Sequence, residues 1–261
     1  MNILVCVKQT PDIEKIKLDG KTNEMRLDGV PLIVNPYDTY ALETAVRLKE
    51  ACPESRVYTL TMGPDKARDA LKSCLSVGAD KAYLLRNDGM TEADTLTTAA
   101  ALSLAAREIE AREGLRFDLI LCGKQAADGD TAQVGPQLAA YLDLPQLTSA
   151  MELTVEDGRA SVRRPAEDGM EVVSALMPAL VTMSQTPYEP RYASVKTKLA
   201  AARAVIPELT PDELGPAPVS PARVVRSYVP ARKQGGIRIS EDSGEASAAK
   251  LLALLRGAGV I

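Results

Sequence analysis

The sequence predicts an α/β fold in which helices flank a mostly parallel sheet. Short apolar runs of strand length alternate with Ala- and Leu-rich segments of helical spacing through the first half of the 261 residues. Aromatic residues make up only 3% of the chain, with no Trp and one Phe, so the core must be aliphatic. An aliphatic core is typical of a parallel sheet that is buried beneath helices.

Strand and helix signals alternate in an order that parallel strands joined by helical crossovers require. Asp38 is a candidate N-cap, and Pro136 should kink the last of these helices or delay its start. In chain order the predicted elements are a strand at Ile3–Val7, a strand at Leu32–Val34, a helix at Asp38–Ala51, a strand at Val57–Met62, a helix at Asp65–Ser76, a strand at Ala82–Leu85, a helix at Glu92–Arg112, a strand at Leu119–Leu121 and a helix at Gln137–Leu142.

The pattern changes near Met151, where apolar and polar residues begin to alternate. Residues 152–155 and 160–163 alternate around Asp157-Gly158, which predicts a β-hairpin. Residues 171–176 and 179–183 predict two further strands. We therefore expect the second half of the sheet to be partly antiparallel.

The chain loosens after Thr186, and eight of its 17 prolines fall between Pro187 and Pro230. Proline at this density opposes regular helix and central strand. Residues 187–261 are therefore expected to form an extended arm that ends in a helix at Ala246–Arg256, capped by Gly257, beyond an α/β domain at 1–186. Because such an arm buries little by itself, we expect it to lie on a partner chain; a flexible tail is the alternative.

Composition excludes several classes of function. The formal charge of −4 gives no support to nucleic-acid binding. The chain has no His, and its four cysteines are far apart, so no metal site is expected. Cys6 and Cys122 fall in apolar runs and are interpreted as small buried hydrophobes. The chain shows no signal peptide and no membrane-spanning run, so a cytoplasmic location is expected.

A polar, glycine-bearing turn at residues 123–136 separates a buried strand from a helix. Backbone N–H groups at such a helix start suit a nucleotide phosphate. Three other segments should meet the turn at the carboxyl edge of the sheet: residues 6–8, 35–38 and 93–98. Neither G-x-G-x-x-G nor a P-loop motif is present, which disfavours those two kinds of site.

Several side chains in these segments have plausible tasks. Asn35 could bond an adenine edge, and the hydroxyls of Thr95 and Thr98 share a helix face that could hold a phosphate. Gly129 would allow close approach of the backbone. Asp130 or Thr131 could cap the following helix, and Gln133 could donate to flavin-type carbonyls. The alternative is that Asp94 and Thr95 serve only as N-caps.

Five segments, in order, resemble the beta subunit of electron-transfer flavoprotein: Val5-Cys-Val-Lys-Gln9, Asn35-Pro-Tyr-Asp-Thr-Tyr-Ala-Leu-Glu43, Gly123-Lys-Gln-Ala-Ala-Asp-Gly-Asp130, residues 162–182 and Glu189-Pro-Arg-Tyr-Ala193. The resemblance covers nearly the whole chain. It implies an α/β domain like that of the adenine-nucleotide hydrolases, paired with an alpha subunit that carries its own FAD.

Two motifs resemble the electron-bifurcating branch of that family: Asp128-Gly-Asp-Thr-Ala-Gln-Val-Gly-Pro136 and Ala93-Asp-Thr-Leu-Thr-Thr98. The resemblance implies an FAD here that takes hydride from NADH. One electron would then go to ferredoxin or flavodoxin, and the other through the alpha-subunit FAD to an acyl-CoA dehydrogenase or quinone-reducing partner. The alternative is a conventional beta subunit that holds AMP as a structural group and docks acyl-CoA dehydrogenases.

The resemblance and the sheet-edge geometry together predict a set of functional residues, none of them an acid–base catalyst. The expected cofactor-binding residues are Cys6, Lys8, Asn35, Tyr37, Asp38, Met62, Thr95, Thr98, Gly123, Gln125, Asp128, Gly129, Asp130, Thr131, Ala132, Gln133 and Val134. The expected partner-docking residues are Arg191, Tyr192, Val195, Lys196, Lys198 and Leu199.

Overall fold

A seven-stranded parallel sheet is the centre of the part of the chain that the structure, a computed structural model, describes. That part comprises residues 1–19, 24–86, 93–215, 222, 225, 229 and 235–261. The chain divides into two units, Met1–Ser227 and Tyr228–Ile261. The first unit holds the sheet, and the second holds the last helix.

The strands in chain order are β1 Asn2–Cys6, β2 Gln9–Pro11, β3 Lys17–Leu18, β4 Met25–Arg26, β5 Leu32–Val34, β6 Arg56–Gly63, β7 Lys81–Arg86, β8 Leu119–Gly123, β9 Gln146–Ala150, β10 Glu152–Glu156, β11 Arg159–Ala166, β12 Gly169–Leu176, β13 Ala179–Met183 and β14 Glu208–Leu209. The helices are α1 Pro36–Ala51, α2 Arg68–Ser76, α3 Thr95–Glu113, α4 Val134–Leu142, α5 Val195–Ala202, α6 Pro211–Leu214 and α7 Gly244–Gly257. Two 3₁₀ turns lie at Ile13–Lys15 and Asp65–Ala67.

The strands of the main sheet are ordered β14-β7-β6-β1-β8-β13-β9, and every pairing between them is parallel. The chain thus builds outward from β1 in one direction and then, beginning with β8, in the other. The predicted α/β class with a mostly parallel sheet is confirmed. The strand order reverses between β1 and β8, and this reversal fixes where the sheet edge opens into a crevice.

Each face of the sheet packs against its own pair of helices. Ile3 and Val5 of β1 belong to a cluster with α1 and α2, whereas Leu4 and Cys6 belong to a cluster with α3 and α4. Successive strand residues point to opposite faces, so one apolar strand supplies both cores. The Ala-rich faces of α1 and α3 let the helices approach the sheet closely.

The antiparallel strands form a separate sheet, which corrects the expectation that they extend the main one. β10, β11 and β12 pair antiparallel with one another, while β13 returns to the main sheet in parallel. Burial explains why the two strands belong to different sheets. β12 alternates between exposed and half-buried residues towards its end, whereas all five residues of β13 are buried. A strand that is buried on both faces suits the interior of a parallel sheet.

Two helix starts also differ from expectation. Helix α1 begins at Pro36 with Asn35 in the N-cap position, so Asp38 lies inside the first turn rather than capping the helix. Helix α4 begins at Val134, and Pro136 therefore falls in its first turn, where N–H groups have no intrahelical acceptor. The proline therefore does not delay the start of the helix.

The segment after Thr186 is more regular than its prolines suggest. It contains α5, α6 and the short strand β14, which pairs with β7 at the edge of the main sheet. Pro207 immediately precedes β14, and Pro211 is the first residue of α6, so these prolines lie at element boundaries, where they are tolerated. Much of the proline-dense stretch, residues 216–221 and most of 223–234, lies outside the described residues.

Helix α7 confirms the predicted terminal helix at Ala246–Arg256 and begins two residues earlier, at Gly244. Ser243 is its N-cap, accepting from the N–H of Ala246, and Ala258 rather than Gly257 is the C-cap. None of its side chains is buried, and Leu251, Leu252 and Leu254 are exposed. Among the described residues, no helix has the length and apolarity needed to span a membrane.

Candidate functional site

A cavity of about 490 Å³ opens at the carboxyl ends of β1 and β8, where the strand order reverses. Its walls are the ends of β1 and β6, the start of α1, the loop after β8, and the first residues of α3 and α4. Ligands of open α/β sheets bind in this position because the loops diverge there. The volume lies within the range of small-molecule sites, ~300–1,000 Å³.

The structure brings most of the predicted cofactor-binding residues to this cavity. Those that line it are Cys6, Lys8, Asn35, Asp38, Met62, Thr95, Thr98, Gly123, Gln125, Gly129, Thr131, Ala132, Gln133 and Val134. Tyr37, Asp128 and Asp130 do not line it, although Asp128 bonds Lys8 and Asp130 bonds Gln125. That these residues bind a cofactor stays a prediction.

Some lining residues were missed. Leu32, Pro64, Ala67, Leu102 and Lys124 also contact the cavity. Leu102 follows Thr95 and Thr98 at helical spacing, so the rule that found the threonines could have found it. Pro64 and Ala67 follow the carboxyl end of β6, and the same sheet-edge rule applies to them.

Asp38 joins three elements at the floor of the cavity. One carboxylate oxygen accepts from the backbone N–H of Lys8 at 2.7 Å, and the other accepts from Gly123 at 3.1 Å and from the Asn35 amide at 2.9 Å. Burial raises the pKa of Asp38 to about 7, against the lowering effect of these hydrogen bonds and of the Lys8 charge. Asp38 therefore ties the ends of β1 and β8 to α1.

Asn35 shapes the loop after β8. Its amide nitrogen donates to Asp38 and, at 2.8 Å, to the carbonyl of Gln125, while its side-chain oxygen accepts from the N–H of Ala127 at 2.9 Å. The residue is 1% exposed. Both of its amide hydrogens are committed within the protein, so Asn35 supports the loop, and its expected contact with an adenine edge stays a prediction.

The loop at residues 123–133 holds an unusual backbone course. Asp130 and Ala132 have φ values of 53° and 54°, a left-handed conformation that costs energy for residues with a Cβ. Gly129 has ordinary backbone geometry, and a Cβ there would meet nothing within 4 Å. The strain in this loop therefore lies at Asp130 and Ala132, and the close approach of Gly129 to a ligand stays a prediction.

Polar bridges cross the mouth of the cavity. Lys8 Nζ lies 2.7 Å from Asp128 Oδ1, and Thr95 Oγ1 donates to Gln133 Oε1 at 3.0 Å. Gln125 donates to the Asp130 carboxylate. These contacts hold the loop over the crevice. Each of them is made by polar groups that could instead bond a ligand.

Two helix N-termini point at the cavity. Asp94 is the N-cap of α3 and accepts from the N–H of Thr97 at 2.8 Å, as the capping alternative anticipated, while Thr95 begins the helix. Gln133 holds the N-cap position of α4 without making a side-chain cap, so the expected capping by Asp130 or Thr131 is wrong. Helix N-termini carry a partial positive charge, and two of them beside hydroxyl groups suit a phosphate.

A larger cavity, of about 940 Å³, lies at the opposite end of the sheet, between the last turns of α3 and the start of β8. Its acidic groups bond within the chain: Glu110 accepts from the N–H of Phe117, and Asp118 accepts from the N–H of Asn2. Arg107 donates to the carbonyl of Tyr141. Size alone would favour this larger cavity as the ligand site. The smaller cavity is the better candidate, because it lies at the strand-order reversal and is lined by several hydrogen-bond donors.

The predicted docking residues divide into two groups. Arg191 bonds Glu43 and Glu50 of α1, so its guanidinium is engaged within its own chain, and its role in docking stays a prediction. Tyr192, Val195 and Leu199 are 97%, 77% and 61% exposed. Lys196 and Lys198 are exposed on the same short helix. The structure thus places an apolar patch with basic neighbours on α5.

The fold and cavity define a doubly wound α/β protein whose candidate ligand site lies at the strand-order reversal. The chain's residues 25–214 match the family model described as the electron transfer flavoprotein domain. The chain therefore belongs to the electron-transfer flavoprotein family, on the side of its beta subunits.

Three relatives illustrate the similarity. The chain is 40% identical over 255 residues to the electron transfer flavoprotein subunit beta of Megasphaera elsdenii, covering 94% of both chains. It is 39% identical over 267 residues to the caffeyl-CoA reductase-Etf complex subunit CarD of Acetobacterium woodii, covering 100% of both. It is 42% identical over 209 residues to protein FixA of Azorhizobium caulinodans, covering 79% of this chain and 74% of that protein. The resemblance found in the sequence is confirmed.

Proposed function

We propose that this chain is the beta subunit of an electron-transfer flavoprotein heterodimer and that its cavity binds FAD. When bound, FAD would supply a group that can accept hydride from NADH and give up the two electrons one at a time. One electron would pass to ferredoxin or flavodoxin, and the other to a second FAD in the alpha subunit and on to an acyl-CoA dehydrogenase or quinone-reducing partner. The carrying observation is the pair of helix N-termini with hydroxyls at the cavity.

The residues present fit a dinucleotide phosphate group. Thr95 and Thr98 line the cavity at the first turn of α3, and the N–H groups at the start of α4 carry no side-chain cap. Lys8 supplies a positive charge at the mouth. Hydroxyls, free N–H groups and a cation together suit a bound anion. The amides of Gln125 and Gln133 are the donors available to the rest of the cofactor.

The partners follow from the same proposal. The relative named as part of a caffeyl-CoA reductase-Etf complex supports an acceptor that acts on a CoA thioester. The exposed patch of Tyr192, Val195 and Leu199, with Lys196 and Lys198 beside it, supports docking of that acceptor. An apolar anchor sets the lifetime of a transient complex, while surrounding charges mainly speed the encounter.

Replacing Thr95 and Thr98 together with Val is expected to remove flavin from this subunit. The change keeps side-chain shape but removes two hydroxyls from the phosphate site, and each lost hydrogen bond to a charged group costs about 1.5–3 kcal/mol. The measurement is the number of flavins per heterodimer after dialysis, expected to fall from two to one. Far-UV circular dichroism should stay unchanged.

The same measurement distinguishes the alternative function. Nucleotide extraction from the unaltered heterodimer should give two FAD molecules and no AMP. One FAD with one AMP would instead establish a conventional beta subunit and overturn the bifurcation proposal. Two flavins retained by the double variant would leave the family intact but move the phosphate site elsewhere.

Helix α7 is proposed to pack on the alpha subunit, as part of the proposed arm at 187–261. Its residues Leu251, Leu252 and Leu254 are exposed, and no residue of the helix is buried. A chain that ends at Ser240 is therefore expected to lose co-elution with the alpha subunit on a sizing column, while its own helix and strand content changes only by the missing helix. Undiminished co-elution would assign α7 to solvent.

A further inference from the structure

Two cysteines face each other in the wall of the cavity. Cys6 of β1 and Cys122 of β8 are directly opposite in the parallel register, and adjacent strands lie ~4.8 Å apart. Both side chains belong to the same hydrophobic cluster and both line the cavity. Their exposed fractions are 8% and 6%, so both residues are almost fully covered by protein while they border the cavity.

The two remaining cysteines serve as internal references. Cys52 is exposed at the end of α1, and Cys74 is fully buried in the cluster on the other face of the sheet. Burial raises the pKa of Cys74 to about 12. The neighbouring Cys6 thiol and burial both raise the pKa of Cys122. Because the thiolate is the nucleophile in alkylation, reagents that need one thiolate should react first at Cys52.

The donor set at the pair is small and soft. Two thiols converge, and the described residues hold no group of three or more His, Cys, Asp or Glu side chains that could bind a metal ion. Structural zinc requires four protein ligands, so zinc does not fit. A trivalent arsenic that already carries one organic substituent needs only two sulfur atoms, and the opposed thiols supply them.

We propose that Cys6 and Cys122 together form a dithiol binding site, in the cavity wall, for a monosubstituted trivalent arsenical. The reaction with phenylarsine oxide is a ligand exchange without change of oxidation state. Two As–S bonds replace the bonds from arsenic to oxygen, and the two thiol protons leave with that oxygen as one water molecule. The proposal does not rest on the proposed flavin role, because it requires only the two thiols and a cavity from which nucleotide has been removed.

The test uses the full chain after removal of bound nucleotide, verified by the absorbance of an acid extract. Phenylarsine oxide should form a one-to-one adduct, seen by native mass spectrometry, and the Cys6 and Cys122 peptides should be cross-linked through arsenic after digestion. In the same chain N-ethylmaleimide should label Cys52 alone. The peptide map needs no variant, so it is independent of any folding defect.

Variants then test whether both sulfurs are needed. C52A and C74A should keep the affinity of the parent chain, whereas C6A and C122A should each bind roughly 100-fold more weakly, because the second sulfur binds at a high effective concentration. Equal affinity in C6A or C122A, an adduct mapped to Cys52 or Cys74, or no adduct on the nucleotide-free parent would each overturn the proposal.

Discussion

Replacing Gly123 with alanine should abolish flavin retention and destabilise the chain. A Cβ at this position would lie 2.2 Å from Asp38 Oδ1, 2.8 Å from the Cβ of Tyr37 and 2.9 Å from the backbone nitrogen of Asp38. The Tyr37 Cβ and the Asp38 nitrogen are fixed by the first turn of α1, and three hydrogen bonds hold the Asp38 carboxylate in place, so these atoms cannot move aside freely. We expect the Asp38 carboxylate to lose its bond to Gly123 and the cavity floor to shift.

The expected loss of stability combines overpacking, about 1–3 kcal/mol, with a disrupted buried carboxylate. Urea unfolding measures the loss of stability, and the count of flavins per heterodimer measures the loss of flavin retention. Gly129 provides the matched control in the same loop, because a Cβ there meets nothing within 4 Å. G129A should keep the parent's urea midpoint, and a G123A variant that kept both flavins and the parent's urea midpoint would contradict this account of Asp38.

The parallel core could be predicted because its information is local. An apolar run such as residues 119–122 and an Ala-rich helix such as α3 can be recognised from a window of ten to twenty residues. The position of the site followed from the same pattern, since carboxyl ends of parallel strands share one edge. Thr95 and Thr98 lie at the cavity for this reason.

The roles of individual side chains were not predictable, because their partners are distant in sequence. Asp38 bonds the N–H of Gly123 across 85 positions, and Asn35 bonds the N–H of Ala127 across 92. Residue type suggested an N-cap for Asp38, but tertiary contacts committed its side chain to Lys8 and Gly123. The separate antiparallel sheet was missed for a similar reason, because strand signals do not state which strand pairs with which.

Arg191 illustrates the same limit and leads to the second large expected effect. It was predicted to dock a partner, yet its guanidinium bonds Glu43 at 2.7 Å and also reaches Glu50. The Glu43 side chain is only 3% exposed, whereas that of Glu50 is 59% exposed. The Glu43 contact therefore carries most of the stability, and the surface pair adds little. Arg191 anchors the start of the docking segment to α1.

The substitution R191M should lower the free energy of unfolding by on the order of 3 kcal/mol, because it leaves a buried carboxylate with one partner fewer. Burial acts to raise the pKa of Glu43, but hydrogen bonds from Arg191 and Arg47 outweigh it and hold the pKa below its ordinary value of 4.5. A carboxyl with a lowered pKa contributes stability above its unfolded pKa and loses that contribution as pH falls through the folded one. The stability difference between parent and R191M should therefore be full at pH 7 and shrink below about pH 4.5.

Rates of electron transfer to the acceptor, measured together with stability, distinguish the anchoring role of Arg191 from a docking role of Lys196 and Lys198. R191M should slow transfer to the acceptor and lower the urea midpoint together, because the patch of Tyr192, Val195 and Leu199 loses its fixed position. The double charge reversal K196E/K198E should slow transfer, most clearly at low salt, and leave the urea midpoint unchanged, since both lysines are exposed. Neither change touches the cavity, so reduction of the bound flavins by NADH should keep its rate in both. An R191M chain with the parent's stability would show that the Glu43 contact carries no net stabilisation.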